Sequence, residues 1–252
     1  GGTLGASVAA KLPADGYHSF MGAVHHTIAP SMYPKLDYDI ERDFVPLALM
    51  ATVPYVLVVN PKNLPVNGLK DFLEMVKKSP GRFNYGSAGS GTAHHMAGEL
   101  FKLQTQTFIT HIPYRGTGPA LQDLIAGNVD MMFEQMYAAA PSIASGKLRP
   151  IAVTAKARLA QYPQVPTFGE AGFPAVEVQN WQGVIVPKGT PPAIIATLNK
   201  AFNDISSDAG LKSRLLDLGI STGPSTAEEM GALLKSEITR WAKVIDDNKL
   251  ER

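Results

Sequence analysis

Residues 84–101 read NYGSAGSGTAHHMAGELF, placing Ser87, Ser90, Thr92, Gly89, Gly91 and the adjacent His94 and His95 at a strand-to-helix turn. Several chemistries draw on such residues. A nucleotide loop needs a Lys and a Ser/Thr directly after its last glycine, to reach phosphates and magnesium. Here Gly91 is followed by Thr92 and Ala93, and the next lysine is Lys102. A dinucleotide fingerprint needs G-x-G-x-x-G, whereas this loop runs G-x-x-G-x-G. Neighbouring histidines on a helix point about 100° apart and cannot share an ion. His25 and His26 pose the same problem, and none of the four forms a helical H-x-x-x-H pair, so no metal site is expected. A nucleophile elbow would read G-x-S-x-G, which residues 86–91 do not match. A hydrolase or transferase using a Ser/His pair in the 87–95 loop stays as the rival class, with no acidic third partner assignable. The remaining chemistry is anion binding. Glycines allow close approach of a ligand, and the helix behind them offers unpaired N–H groups and a positive dipole end. Ser87, Ser90 and Thr92 add hydroxyls, which would otherwise cap the helix.

A second loop repeats the pattern. Tyr114, Arg115, Gly116 and Thr117 join the strand FITHIP to a helix, and Arg115 adds a positive charge. Two helix N-termini beside one arginine suit an acidic ligand. No catalytic residue and no cofactor are assigned.

The elements that must position these loops alternate between strand and helix, as in an α/β fold. YHSFMGAV (17–24) reads as a strand, and VPLALMATVPYVLVVNP (45–61) as two buried strands broken by its prolines. Leu69, Phe72, Leu73 and Val76 form a helical stripe that ends at Pro80-Gly81. A strand at 82–87 and a helix at about 91–103 follow, then the strand 108–113. In the next helix, Pro119 takes the first position and Gly127 the C-terminal cap. Strands are expected at 128–133 and 148–155, with a short helix between them. The long segment 176–187 has the character of a crossover strand. Three helices close the chain; in the last, Ser225 and Glu228 have capping-box spacing, and Ile238, Trp241 and Ile245 form the apolar stripe.

Composition narrows the classes. Across 252 residues, 45% are hydrophobic and 18% charged, which suits an ordered globular protein with a substantial core. A net charge of +1 gives no electrostatic case for nucleic acid or an anionic membrane. With no cysteine there is no disulfide or thiolate chemistry. The chain opens on GGTLGASVAAKLPADGY without a start Met or a visible signal peptide, as a processed or truncated chain would.

The order of motifs carries a resemblance. ADGYHSFMGAVHHTIAPSMYPKLDYDIERDFVPLALMATVPYVLVVNP, FNYGSAGSGTAHHMAGELF, HIPYRGTGPALQDLIAGNVDMMFE, GKLRPIAVTAKAR, YPQVPTFGEAG and WQGVIVPKGTP occur in sequence. They resemble the solute receptors of tripartite tricarboxylate transporters, the Bug or TctC-like family, over nearly the whole chain.

The resemblance implies a type II periplasmic binding fold of two α/β lobes joined by two crossover strands near 51–58 and 178–186. Lobe 1 would combine 1–55 with 179–252, and lobe 2 would span 56–178. It implies a periplasmic, monomeric, non-enzymatic receptor that captures a small carboxylate in a cleft and passes it to an integral-membrane permease. That carboxylate would be a di- or tricarboxylate, an acidic amino acid or an aromatic acid. The family's binding loops fall on Ser87, Ala88, Gly89, Ser90, Gly91 and Thr92, and on Tyr114, Arg115, Gly116 and Thr117, with Arg115 replacing the usual lysine. His25, His26 and Thr27 match a loop of the first lobe, where the family pattern is T-H-A. Trp181 matches the aromatic at the return crossover. The opening GGTLGA matches the family's G-G-N-I-G-A element, so the strand, P-F-x-P-G-G-type loop and helix that open the family would lie before Gly1.

Overall fold

The computed structural model describes residues 2–247, 249 and 250. In chain order the elements are α1 (Thr3–Ala9), β1 (Phe20–Ala23), α2 (Val24–Met32), β2 (Phe44–Val59), α3 (Leu69–Lys78) and β3 (Asn84–Ser87). Next come α4 (Ala93–Thr105), β4 (Thr110–Pro113), α5 (Thr117–Ala126), β5 (Met131–Gln135), α6 (Met136–Ala144) and β6 (Arg149–Val153). The chain then forms β7 (Gln179–Pro187), α7 (Pro192–Ser207), α8 (Ala209–Asp217) and α9 (Ala227–Asp247). They form two compact units, Val53–Gln179, and Gly2–Thr52 with Asn180–Arg252. Among the described residues no helix is long and apolar enough to cross a membrane.

In the unit Val53–Gln179 the strand order is β6-β2-β5-β3-β4. β2 runs antiparallel to both β5 and β6, while β3 runs parallel to β4 and β5. The carboxyl ends of β3, β4, β5 and β6 therefore lie along one edge. In open α/β sheets that edge is where ligands bind. The inner strands are apolar without alternation because helices cover both faces; every residue of β5, MMFEQ, is buried. Phe101, Phe133 and Phe168 meet with ring centroids 5.9 Å apart, and Val56, Val58, Leu124 and Met132 pack in a second cluster. Each such side chain contributes roughly 1.5–3 kcal/mol by leaving water. This core holds the edge rigid.

In the other unit β1 pairs antiparallel with β7, Gly22 opposite Gly183, and β7 lies beside β2. Leu47, Val184 and Val186 form part of its core under α7. Trp241 is fully buried in the stripe of α9, its indole N–H donating to Glu237 Oε2 at 2.9 Å.

Several boundaries differ from the sequence expectation. The run at 45–61 is one strand rather than two. Its ladders with β5 and β6 begin at Tyr55 and Val56, so the N–H that Pro54 lacks is required by neither. Helix α5 begins at Thr117 with Gly116 as N-cap, which places Pro119 third instead of first. Proline is tolerated there because first-turn amides have no intrahelical acceptor. The capping box of α9 is Thr226 with Glu229: the Thr226 amide donates to Glu229 Oε2 at 2.8 Å, and the Glu229 amide to Thr226 Oγ1 at 3.1 Å. Ser225 is drawn away by β2, accepting the Leu49 amide at 2.8 Å.

Candidate functional site

The loop between β3 and α4 is built on glycine geometry. Gly89 has φ +125° and Gly91 φ +73°, values that L side chains rarely adopt. Thr92 is the N-cap of α4, accepting the His95 amide at 3.5 Å and donating its hydroxyl to Gly89 O at 2.6 Å. Among the described residues the Ala93 and His94 amides find no acceptor, so two N–H groups of the first turn remain for an anion. Ala88 and Gly89 are half-buried and Ser90 is exposed.

Ser87 is 0% exposed. Its Oγ accepts the Gly89 amide at 3.1 Å and hydrogen-bonds His111 Nε2 at 2.6 Å. The Ser87 and Thr92 hydroxyls and the Gly89, Gly91 and Thr92 amides thus hold the loop together, and the amides left over are those of Ala93 and His94 at the start of α4.

The second loop is laced to the first. The Tyr114 amide donates to Ser87 O at 3.0 Å, and the Gly116 amide to Ala88 O at 3.2 Å. Tyr114 donates its phenol to Asp123 Oδ2 at 2.7 Å, tying the loop to α5; burial and that carboxylate push the phenol up to about 12. Arg115 is exposed and makes no ion pair among the described residues, and Gly116 and Thr117 are half-buried at the uncapped start of α5. All ten residues predicted for this unit, Ser87–Thr92 and Tyr114–Thr117, therefore lie on two bonded loops at the carboxyl edge of the sheet.

In the other unit, His25, His26 and Thr27 form the first turn of helix α2, not a loop. The reason is local. His26 Nδ1 accepts the Ala23 amide at 3.0 Å, taking the part that Glu or Gln plays in a capping box. Burial pushes the His26 imidazole down to about 4, so the ring is neutral. Thr27 is fully buried and donates to Val24 O at 2.6 Å. Trp181 is 2% exposed, and among the described residues neither its indole N–H nor His26 Nε2 has a hydrogen-bond partner. Ala23 pairs with Gln182, so Trp181 and the start of α2 share the same end of this sheet.

Two residues beside these loops carry little signal in the sequence. His111 stood inside the strand FITHIP with nothing to mark it. Glu134 ends the apolar run MMF, and a carboxylate there was the available signal. It is fully buried, accepts the Gln135 amide at 2.7 Å, and lies 3.3 Å from His94 Nε2, while its Oε2 has no partner among the described residues. No cluster of three metal-ligating side chains occurs among the described residues.

The Ser87–His111 pair has the atoms of a nucleophile and base, but not their chemistry. Ser87 is inaccessible, and no carboxylate bonds His111 among the described residues. Burial, then His95 and Lys102, push the His111 imidazole down to about 3, far below a useful general base near neutrality.

Known proteins share this architecture. The sequence matches the tripartite tricarboxylate transporter family receptor profile over residues 1–250. BugT of Bordetella pertussis is 34% identical over 247 residues, 97% of this chain and 76% of that protein. The structure of an R. palustris protein with adipate superposes with a TM-score of 0.93 at 34% identity, covering 98% of this chain and 83% of that one. MatC from Rhodopseudomonas palustris, with bound malate, gives 0.87 at 33% identity over 97% and 84%. The fold is that of the periplasmic binding proteins, and the family is one of transporter receptors, not of enzymes. With a match that runs from Gly1 to Leu250, the chain belongs to the tripartite tricarboxylate transporter receptor family of Bug/TctC-like solute-binding proteins.

Proposed function

We propose that this receptor captures a small carboxylate on the Ser87–Thr92 and Tyr114–Thr117 loops and delivers it, as a periplasmic monomer, to a membrane permease. The observation that carries the reading is the pair of helix N-termini laced together beside the exposed Arg115, which has no ion-pair partner among the described residues. Adipate and malate in the related structures are acids of the matching class. In the other unit, the first turn of α2 carries His25, His26 and Thr27, and the His25 ring packs on His26. Among the described residues the Trp181 indole N–H and His26 Nε2 have no hydrogen-bond partner, which leaves them as donors a ligand could use.

Magnitudes decide which group matters most. Each helix end contributes about 0.3–1 kcal/mol when exposed and up to about 2 when partly buried. Micromolar binding needs about 8 kcal/mol. A charge-assisted hydrogen bond supplies about 1.5–3 kcal/mol, so Arg115 is the largest single contributor on these loops. Its guanidinium can grip a carboxylate with two bonds, which a lysine cannot.

Arg115→Ala is expected to raise the Kd for adipate or malate by about tenfold or more, with Arg115→Lys between the two. Titration calorimetry reads both. An unchanged Kd in Arg115→Ala would remove the arginine from the site.

A further inference from the structure

The Gly89–Gly91 turn is held at both ends by imidazoles. At one end Ser87 Oγ, which accepts the Gly89 amide, hydrogen-bonds His111 Nε2 at 2.6 Å. At the other, the Gly91 amide donates to His95 Nδ1 at 3.3 Å. The two rings stack on each other, centroids 4.1 Å apart and 23° from parallel, and Tyr85 also stacks on His111 at 4.9 Å. His95 Nε2 lies 3.8 Å from Glu99, which also accepts the Tyr85 phenol at 2.6 Å and the Lys102 ammonium at 2.8 Å. One chain of contacts thus runs from α4 through β3 and β4 to the loop backbone.

A glycine-rich turn left alone loses more conformational freedom on ordering than any other sequence. Two hydrogen bonds from rigid, stacked rings remove that freedom before a ligand arrives, and preorganisation of this kind raises affinity. The rings must be neutral to do so. His95 Nδ1 accepts only when unprotonated, and two cations about 4 Å apart would repel by roughly 4 kcal/mol at a protein-like dielectric. Burial holds both imidazoles below their ordinary value, opposed at His95 by Glu99 and helped there by Lys102, and reinforced at His111 by His95 and then Lys102.

We infer that His95 and His111 are positioning residues: a stacked imidazole pair that clamps the Ser87–Gly91 backbone in its anion-binding shape without touching the ligand. The inference rests on the carboxylate reading above for its effect on affinity, but the clamp itself can be read without ligand.

The test replaces each ring in two ways. His111→Phe and His95→Phe keep a stacking ring and lose the hydrogen bond. His111→Gln returns a polar atom near the Nε2 position, and His95→Asn an acceptor near Nδ1. In ligand-free protein, amide hydrogen exchange by NMR is expected to show Gly89 and Gly91 less protected by roughly 2–10-fold in the matching Phe variant, the equivalent of one net hydrogen bond. The Kd for adipate or malate should rise by a similar factor. The Gln and Asn variants should return within about twofold of wild type. Ser87→Ala, which leaves the stack intact, should deprotect Gly89 in the same way, so the clamp remains testable if a Phe variant folds poorly. Unchanged Gly89 and Gly91 protection in the Phe variants would overturn the inference, as would Gln and Asn variants no better than Phe. If the wild type binds neither acid while the Phe variants still lose protection, the clamp stands and the carboxylate reading falls.

Discussion

Gly89→Ala is expected to weaken adipate or malate binding by about 10–100-fold while the fold persists. Gly89 sits at φ +125°, and a Cβ there would lie 3.2 Å from Tyr114 O. The backbone strain of a non-glycine residue in such a region is about 1–3 kcal/mol. Relief comes by turning the peptide back toward ordinary angles, which breaks the Gly89 amide's bond to Ser87 and pushes the Tyr114 backbone away. That motion also threatens the two bonds lacing the loops, Tyr114 N to Ser87 O and Gly116 N to Ala88 O. The anion cradle loses its shape, although neither a charge nor a hydroxyl has been removed. Gly223→Ala, where a Cβ meets nothing within 4 Å, serves as the control and should leave the Kd unchanged. Equal affinities for the two variants in calorimetric titration would mean that the 88–91 turn does not shape the site.

The second large effect is on stability. A Cβ at Gly98 would lie 2.3 Å from Tyr85 Cε2 and 2.6 Å from its Cζ. A flexible side chain would swing aside, but Tyr85 is fully buried, bonded through its phenol to Glu99, and stacked on His111. Helix α4 must instead lift off β3. Overpacking of this kind costs about 1–3 kcal/mol, and the rigid ring places it at the top of that range. Alanine regains about 1 kcal/mol of helix propensity over glycine. The net loss of about 2 kcal/mol corresponds to a melting midpoint lower by about 4–8 °C for a protein of this size. Calorimetric melting measures it. A Gly98→Ala midpoint at or above wild type would show that Tyr85 is free to move, and with it the ring stack behind the loop.

How much of this was written in the sequence depends on the element. The β3–α4 and β4–α5 turns were legible because glycine, small hydroxyls and a following apolar stripe are local signals. The part played by the hydroxyls was not. Whether Ser87 faces a ligand or a histidine 24 positions later is decided by the pairing of β3 with β4, which a local pattern does not encode. Helix α2 was missed for a different reason. VHHTIAPSM carries β-branched residues, a proline and buried side chains on several faces, so it shows no polar/apolar period. Its cap is a histidine, outside the usual N-terminal signals. Ser225 and Thr226 both offer a capping hydroxyl, and only the Ser225 bond to the Leu49 amide decides between them.

The central claim, that two laced helix N-termini and Arg115 form a carboxylate site, is tested most directly by calorimetric titration of the full-length wild-type protein. Adipate, malate, an acidic amino acid and an aromatic acid are the ligands, with the dimethyl ester of adipate as the uncharged counterpart. At least one acid should bind saturably and one-to-one, and the ester should not bind. Saturable binding of the ester at equal affinity, or no binding of any acid, would contradict it.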